Sequence, residues 1–136
     1  MGETDERSLG ANWSIDIPEG WEQEREDDVA TFFDPDGVGA LQFSTVIKTE
    51  GGDVTDNDLH EFIGDLNLAD VPREAAAHGS FVGYSLGTEL ESGSACRSWF
   101  LRAGTLLLYA TYICGKEHVG REDAAVGSAL DSLRLA

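Results

Sequence analysis

The sequence predicts an α+β domain organised around an antiparallel sheet of about six strands, and three observations predict it. Six short segments alternate apolar and polar residues or run apolar throughout, two others carry apolar residues on one helical face, and the greasiest strand includes Leu106, Leu107 and Leu108. Such a strand has to be covered on both faces, which calls for helices against the sheet. With 136 residues and 41% hydrophobic content, the chain can bury one core of ordinary domain size.

Residues 1–11 show no periodicity and are expected to form a flexible lead-in, leaving residues 12–136 as the folded domain. Trp13, Ile15 and Ile17 then alternate with Ser14 and Asp16 as a half-buried strand that Pro18-Glu19-Gly20 closes, and Trp21 is expected to fold back as an anchor. Val29–Phe33 makes a second short strand. Asp34-Pro35-Asp36-Gly37 reads as a turn in which Pro35 presets φ and Gly37 is free to take φ > 0. Leu41, Phe43, Thr45 and Ile47 alternate with Gln42 and Ser44 in a third strand, and the three are expected to form an antiparallel meander.

Beyond Gly51-Gly52, Thr55 and Asp58 have the spacing of a capping pair for a helix with Leu59, Phe62, Ile63 and Leu66 on one face. Asp56, Asp58 and Glu61 lie in its first turns, where the helix dipole favours acids. Residues 69–79, with Pro72 and His78, read as a linker or an irregular turn of helix. Three longer strands follow at residues 81–90, 95–102 and 105–114, separated at Ser92-Gly93 and Ala103-Gly104. A closing helix over about residues 121–135 offers Ala124, Ala125, Leu130, Leu133 and Leu135 as cover for the sheet.

Cys96 and Cys114 fall on the last two strands. A two-residue turn at Ala103-Gly104 pairs Arg102 with Thr105, sets Cys96 opposite Thr111 and points the sulfurs to opposite faces. A three-residue turn restores one face but leaves them diagonal. Either register disfavours a disulfide, so both are expected to be free, buried thiols in a reducing compartment.

Charge narrows the partners. There are 26 acidic residues against 9 basic ones, a net charge of -17, and twelve of the acids lie in the first 36 residues with only Arg7 and Arg25 to answer them. Such a field repels phosphate polymers and anionic membranes, so neither nucleic acid nor membrane is expected as a partner. A basic protein partner, a saline or high-GC host, or no charged partner at all remain open. The run Glu22, Gln23, Glu24, Arg25, Glu26, Asp27, Asp28 lies between the first two strands. It reads as a solvated loop, or as a surface that meets a basic protein through Glu22, Glu24, Glu26, Asp27 and Asp28. The longest apolar run, residues 106–110, falls far short of the roughly 20 residues of a membrane helix, and the acidic N-terminus is the reverse of a secretory signal. A soluble, cytoplasmic, bacterial protein is expected.

Motifs with chemistry in them lack their context. Gly83-Tyr84-Ser85-Leu86-Gly87 matches G-x-S-x-G, whose serine needs a strained strand-to-helix elbow, yet Thr88 to Glu91 continue a strand. Asp34-Pro35-Asp36-Gly37 begins like a calcium loop, but Thr45 stands where the bidentate glutamate belongs. His60-Glu61 opens a zincin pattern in which Gly64 replaces the second histidine. Cys96, Cys114 and His118 offer three zinc-type ligands without a paired second half. No metal, cofactor or catalytic residue is expected, and the chain is not expected to be an enzyme.

The order of elements, together with Trp13-Ser14-Ile15-Asp16-Ile17-Pro18-Glu19-Gly20-Trp21, Phe32-Phe33 before Asp34, Leu41-Gln42-Phe43-Ser44 and the closing Ser132-Leu133, resembles the PsbP-like superfamily. The resemblance runs from about residue 12 to the C-terminus. It implies an α/β/α sandwich and a place among extrinsic photosystem proteins, Ran-binding nucleotide-release factors, small bacterial lipoproteins and Eag-type effector chaperones. Members of that superfamily are mostly non-enzymatic binders, adaptors or chaperones, with no shared catalytic residue to carry across.

The expectation is therefore a non-catalytic protein-binding or adaptor domain that engages its partner at an exposed sheet edge or in a groove between sheet and helix. Trp13, Trp21, Phe33 and Trp99 are its candidate aromatic contacts. An acidic immunity protein that neutralises a basic toxin is the first alternative, and a small serine hydrolase using Ser85 the second. A long apolar strand at a sheet edge would invite a dimer.

Overall fold

The computed structural model describes residues 4–8, 13–26 and 29–135. Its strands are β1 (Thr4–Ser8), β2 (Trp13–Pro18), β3 (Glu22–Glu26), β4 (Val29–Phe33), β5 (Gly39–Ile47), β6 (Glu74–His78), β7 (Phe81–Glu89), β8 (Ala95–Ala103), β9 (Leu106–Cys114) and β10 (Arg134–Leu135). Helix α1 (Asp56–Asp65) follows β5, and α2 (Asp123–Asp131) precedes β10. Seven strands form one antiparallel sheet in the order β3-β4-β5-β9-β8-β7-β6, and β1-β2-β10 form a small second sheet. The α+β class and sandwich layering follow the sequence, while the main sheet has seven strands rather than about six.

Alternation along the strands sorts side chains onto two cores. On one face Leu41, Phe43, Phe81, Trp99, Leu101, Leu108 and Ala110 pack beneath α2 and the small sheet, joined by Trp13, Ile15 and Ile17 from β2 and by Val126, Ala129 and Leu130 from α2. On the other, Leu86, Phe100 and Leu107 pack beneath α1 through Leu59 and Ile63. Leu106 and Leu108 face the first core and Leu107 the second, so the apolar run is covered on both sides as expected.

Several elements differ from the sequence reading, each for a local reason. The first alternating strand, β2, pairs with β1 and β10 and lies outside the main sheet, so the meander is β3-β4-β5. Within the expected lead-in, Thr4–Ser8 form β1. The expected linker contains β6, an Ala-rich edge strand paired with β7. The closing helix stops at Asp131, and the chain returns as β10 beside β2. Ser132 sets that exit: its Oγ accepts from the Asp16 amide at 2.8 Å and donates to the Ala129 carbonyl at 2.6 Å. Leu130 and Leu133 are buried as expected, Ala125 half-buried, and Ala124 and Leu135 exposed, their core places taken by Val126 and Ala129.

Trp21 is 7% exposed, and its amide donates to the Pro18 carbonyl, the expected fold-back. In the Asp34-Pro35-Asp36-Gly37 turn the Gly37 amide donates to the Asp34 carbonyl at 2.8 Å without entering the positive-φ region. Glycine serves there by omission, because a Cβ would come within 2.9 Å of the Asp34 Cβ and 3.1 Å of the Asp34 carbonyl oxygen across the turn. The hairpin between β8 and β9 turns at Gly104-Thr105, one residue later than expected, and pairs Ala103 with Leu106. Cys96 consequently lies opposite Ile113 and Cys114 opposite Ala95, on opposite faces of the sheet, and both are free and buried.

The capping pair of α1 forms as expected. Thr55 Oγ1 accepts from the Asp58 amide at 3.1 Å, and an Asp58 carboxylate oxygen accepts from the Thr55 amide and from Lys48 Nζ, both at 2.8 Å. Thr55→Ala should cost about 1 kcal/mol. The Lys48 bond, with the Thr55 amide second, holds the Asp58 carboxyl below its ordinary range. A carboxyl depressed in the folded state stabilises above its unfolded pKa and stops doing so as pH falls through the folded value. Asp58→Asn should therefore lower the thermal midpoint at neutral pH, with the deficit closing as pH falls below the ordinary carboxylate range. A deficit that persists in acid would show that the ionised carboxylate is not what matters.

Candidate functional site

The acidic run is an edge strand. Glu22, Gln23, Glu24, Arg25 and Glu26 form β3, which among the described residues pairs only with β4 and leaves its other backbone edge free. This replaces the expected solvated loop, and it does so because an edge strand bare on both faces needs no apolar alternation. Asp27 and Asp28 lie outside the described residues.

Register fixes where the glutamates point. Glu22 pairs with Phe33, Glu24 with Thr31 and Glu26 with Val29. Ala30 and Phe32 face the core under α2, so Phe33, Thr31 and Val29 face the other way, and the three glutamates with them. That second face is covered by α1 only over β7, β8 and β9, since the core there contains no residue of β3, β4 or β5. The bare half carries Gln42, which donates to Thr31 Oγ1 at 3.1 Å, with Val46 at 43% and Ile113 at 38% exposure. The outcome is a shallow face of mixed polarity, bordered by a row of three exposed carboxylates at every second position of a free edge.

A second feature lies on the opposite face. Between the ends of β7, β8 and β9 and helix α2 runs a cavity of about 640 Å³. Trp99, Ala95, Cys114, Val126 and Leu130 give it apolar walls, and His78, Glu89, Arg97, Lys116 and Asp123 its polar rim. His78, read from sequence as a loop residue, is on β6 and pairs with Asp131 at 2.8 Å. Burial pushes the Cys114 thiol above its ordinary value, so it is a weak nucleophile. Burial, with a 2.6 Å bond to Glu122, likewise drives the Tyr112 hydroxyl far upward, which keeps it a neutral donor.

Of the four candidate aromatics, Trp13 is core at 2% exposure, with its Nε1 donating to Thr45 Oγ1, and Trp21 is core as well. Phe33 lies half-buried on the bare face beside Glu22, and Trp99 floors the cavity. Sequence reasoning passed over Arg97. The signal was present, because Arg97 and Trp99 stand two apart on one strand and so share a face.

The motif residues fall apart in space. Ser85 is in the middle of β7, 5% exposed and opposite Trp99 and Glu74, with no strand-to-helix elbow. His60 is on α1, bonded to Asp56 and Arg73. Among the described residues no group of three or more His, Cys, Asp and Glu side chains converges as a metal site would require. No helix among them is long and apolar enough to cross a membrane.

These layers define a PsbP-like fold. A crystal structure of a protein from Bacteroides thetaiotaomicron VPI-5482 superposes with a TM-score of 0.72 at 17% identity, covering 99% of this chain and 49% of that one. The chain thus spans about half the length of that protein. The solution structure of cyanobacterial PsbP (CyanoP) from Synechocystis sp. PCC 6803 superposes with a TM-score of 0.53 at 10% identity, covering 100% of this chain and 94% of that one. Likeness at such identity concerns the fold alone. No protein-family model and no curated protein matches the sequence.

Proposed function

We propose that the chain is a non-catalytic protein-binding domain that engages a basic partner along β3 and the bare half of the sheet. The observation that carries this reading is the row Glu22, Glu24 and Glu26 on a free edge, next to a sheet face that α1 leaves open. An exposed edge is a template for another strand, and nature blunts such edges with charge. Glutamates in a molecule of net charge -17 deter a second copy, which disfavours a dimer at this edge, but attract a strand rich in lysine and arginine. Neutralisation of a basic toxin is the narrower form of the same reading and would use the same three glutamates together with Asp27 and Asp28 of the same acidic run.

The test is affinity capture by the wild type and by the triple variant Glu22→Gln/Glu24→Gln/Glu26→Gln, at low and moderate salt. These side chains are exposed, so the variant should keep its thermal midpoint. The expected result is a basic protein held at low salt, weakened by salt and lost with the triple variant, at least about ten-fold in affinity if each glutamate contributes about 0.5 kcal/mol or more. Equal capture by both chains contradicts the reading.

A further inference from the structure

We propose that the cavity under α2 binds an apolar small molecule bearing one carboxylate, with Arg97 as the group that receives it. This site is separate from β3, and its success or failure leaves the protein-binding reading untouched. At about 640 Å³ the cavity has the volume of a small-molecule pocket, with apolar walls and polar groups gathered at its rim.

The charges on its rim single out the ligand's head group. Glu89 is paired with Lys116 at 3.2 Å, and His78 with Asp131 at 2.8 Å. Asp123 lies in the first turn of α2, where the helix dipole already favours a carboxylate. Arg97 is the remaining charge. Among the described residues no carboxylate lies within ion-pair distance of it, although the chain has 26 acids to 9 Lys and Arg. Its guanidinium sits instead over the Trp99 ring, 5.3 Å from the centroid, at the mouth of the apolar cavity. This cation–π contact holds the guanidinium beside the indole without using up its N–H donors, which can then receive a carboxylate. A ligand whose tail lies along Trp99, Val126 and Leu130 would place its carboxylate there. With Glu89 answered by Lys116 and Asp123 still on the rim, Arg97 is the one positive charge left to meet an anion, which favours a ligand with a single negative charge over a phosphate or a dianion.

The experiment is isothermal titration of the intact chain with decanoate, 1-decanol and decylamine below their aggregation limits, and with 2-naphthoate as an aromatic carboxylate. Decanoate or 2-naphthoate should bind at least about ten-fold more tightly than decanol, the usual worth of a charge-assisted contact. Decylamine should bind no better than decanol. Arg97→Gln should bring the carboxylate down to the level of the alcohol without weakening the alcohol. Gly127→Leu should abolish all binding, because Gly127 lines the cavity and a Cβ there meets open space, so the larger side chain occupies ligand volume. Failure of both carboxylates to bind overturns the proposal, as does equal affinity for alcohol and acid, or an Arg97→Gln chain that binds the acid unchanged.

Discussion

Gly83→Ala is expected to lose about 3 kcal/mol or more of stability, whereas Ser85→Ala, two positions along the same strand, should lose about 1 kcal/mol or less. The two residues begin and centre the Gly83-Tyr84-Ser85-Leu86-Gly87 motif, so the contrast decides what the motif is for. Gly83 faces the core under α2 on β7, opposite Leu101 and Ala76, and a Cβ there would run into the Phe100 carbonyl and come within 3.1 Å of the Leu101 Cα. Both obstacles are backbone of β8, a central strand bonded on both sides, so nothing flexible can move aside. The strand pair must part or the ladder must bend, and either loses hydrogen bonds that lie inside the sheet. Ser85 is small and buried, and alanine fits its place. Urea unfolding of the two variants reads the difference. A Gly83→Ala chain as stable as the wild type would mean that β7 and β8 do not approach as described.

Phe100→Ala should cost about 3–5 kcal/mol and should loosen α1 before anything else. Phe100 is fully buried and stacks on Tyr109 with 5.1 Å between centroids, while Phe62 of α1 meets it edge-on at 6.0 Å. The core beneath α1 has few members, Val54, Leu59, Ile63, Leu86, Phe100 and Leu107, with Phe62 and Tyr109 at its margin. Loss of Phe100 removes the largest buried sheet side chain that the helix rests on. Amide exchange should therefore accelerate across Asp56–Asp65 far more than in β9, which the other core still holds. Uniform acceleration through both layers would mean that the two cores unfold as one and that α1 has no separate dependence on Phe100.

How much of this was legible in the sequence follows from what each strand buries. Strands with one wet and one dry face announce themselves: Leu41, Phe43 and Thr45 along β5, or the Leu106 run, could be placed within a residue or two. β3 and β6 could not, because edge strands with little burial have no apolar period, so Glu22-Gln23-Glu24-Arg25-Glu26 read as a solvated loop and Glu74-Ala75-Ala76-Ala77-His78 as part of a linker or irregular turn of helix. β2 was legible as a strand but not as a member of another sheet, since alternation records which faces are wet and not which strand lies alongside. The end of α2 depended on Ser132 bonding to Asp16, a contact across 116 positions that no local pattern carries. Glu22, Glu24 and Glu26 stood out in the sequence as an acidic run, but their common direction came only from pairing with Phe33, Thr31 and Val29. Arg97 was overlooked because an arginine inside a strand reads as solvent-facing until the cavity beside it is seen.

The same physics joins the fold to the proposed role. A helix of ten residues covers three strands of a seven-strand sheet, so half of one face stays bare. On the proposed reading, charge on the adjoining edge deters a second copy and suits that face to a partner of opposite charge.

The most direct measurement of this account is amide hydrogen exchange of the chain alone and saturated with the captured basic protein. Binding at the edge predicts slowed exchange in Glu22–Glu26 and Val29–Phe33, with α2 unchanged. Protection confined to α2 and the β8–β9 end of the sheet, or no change along β3, would contradict it.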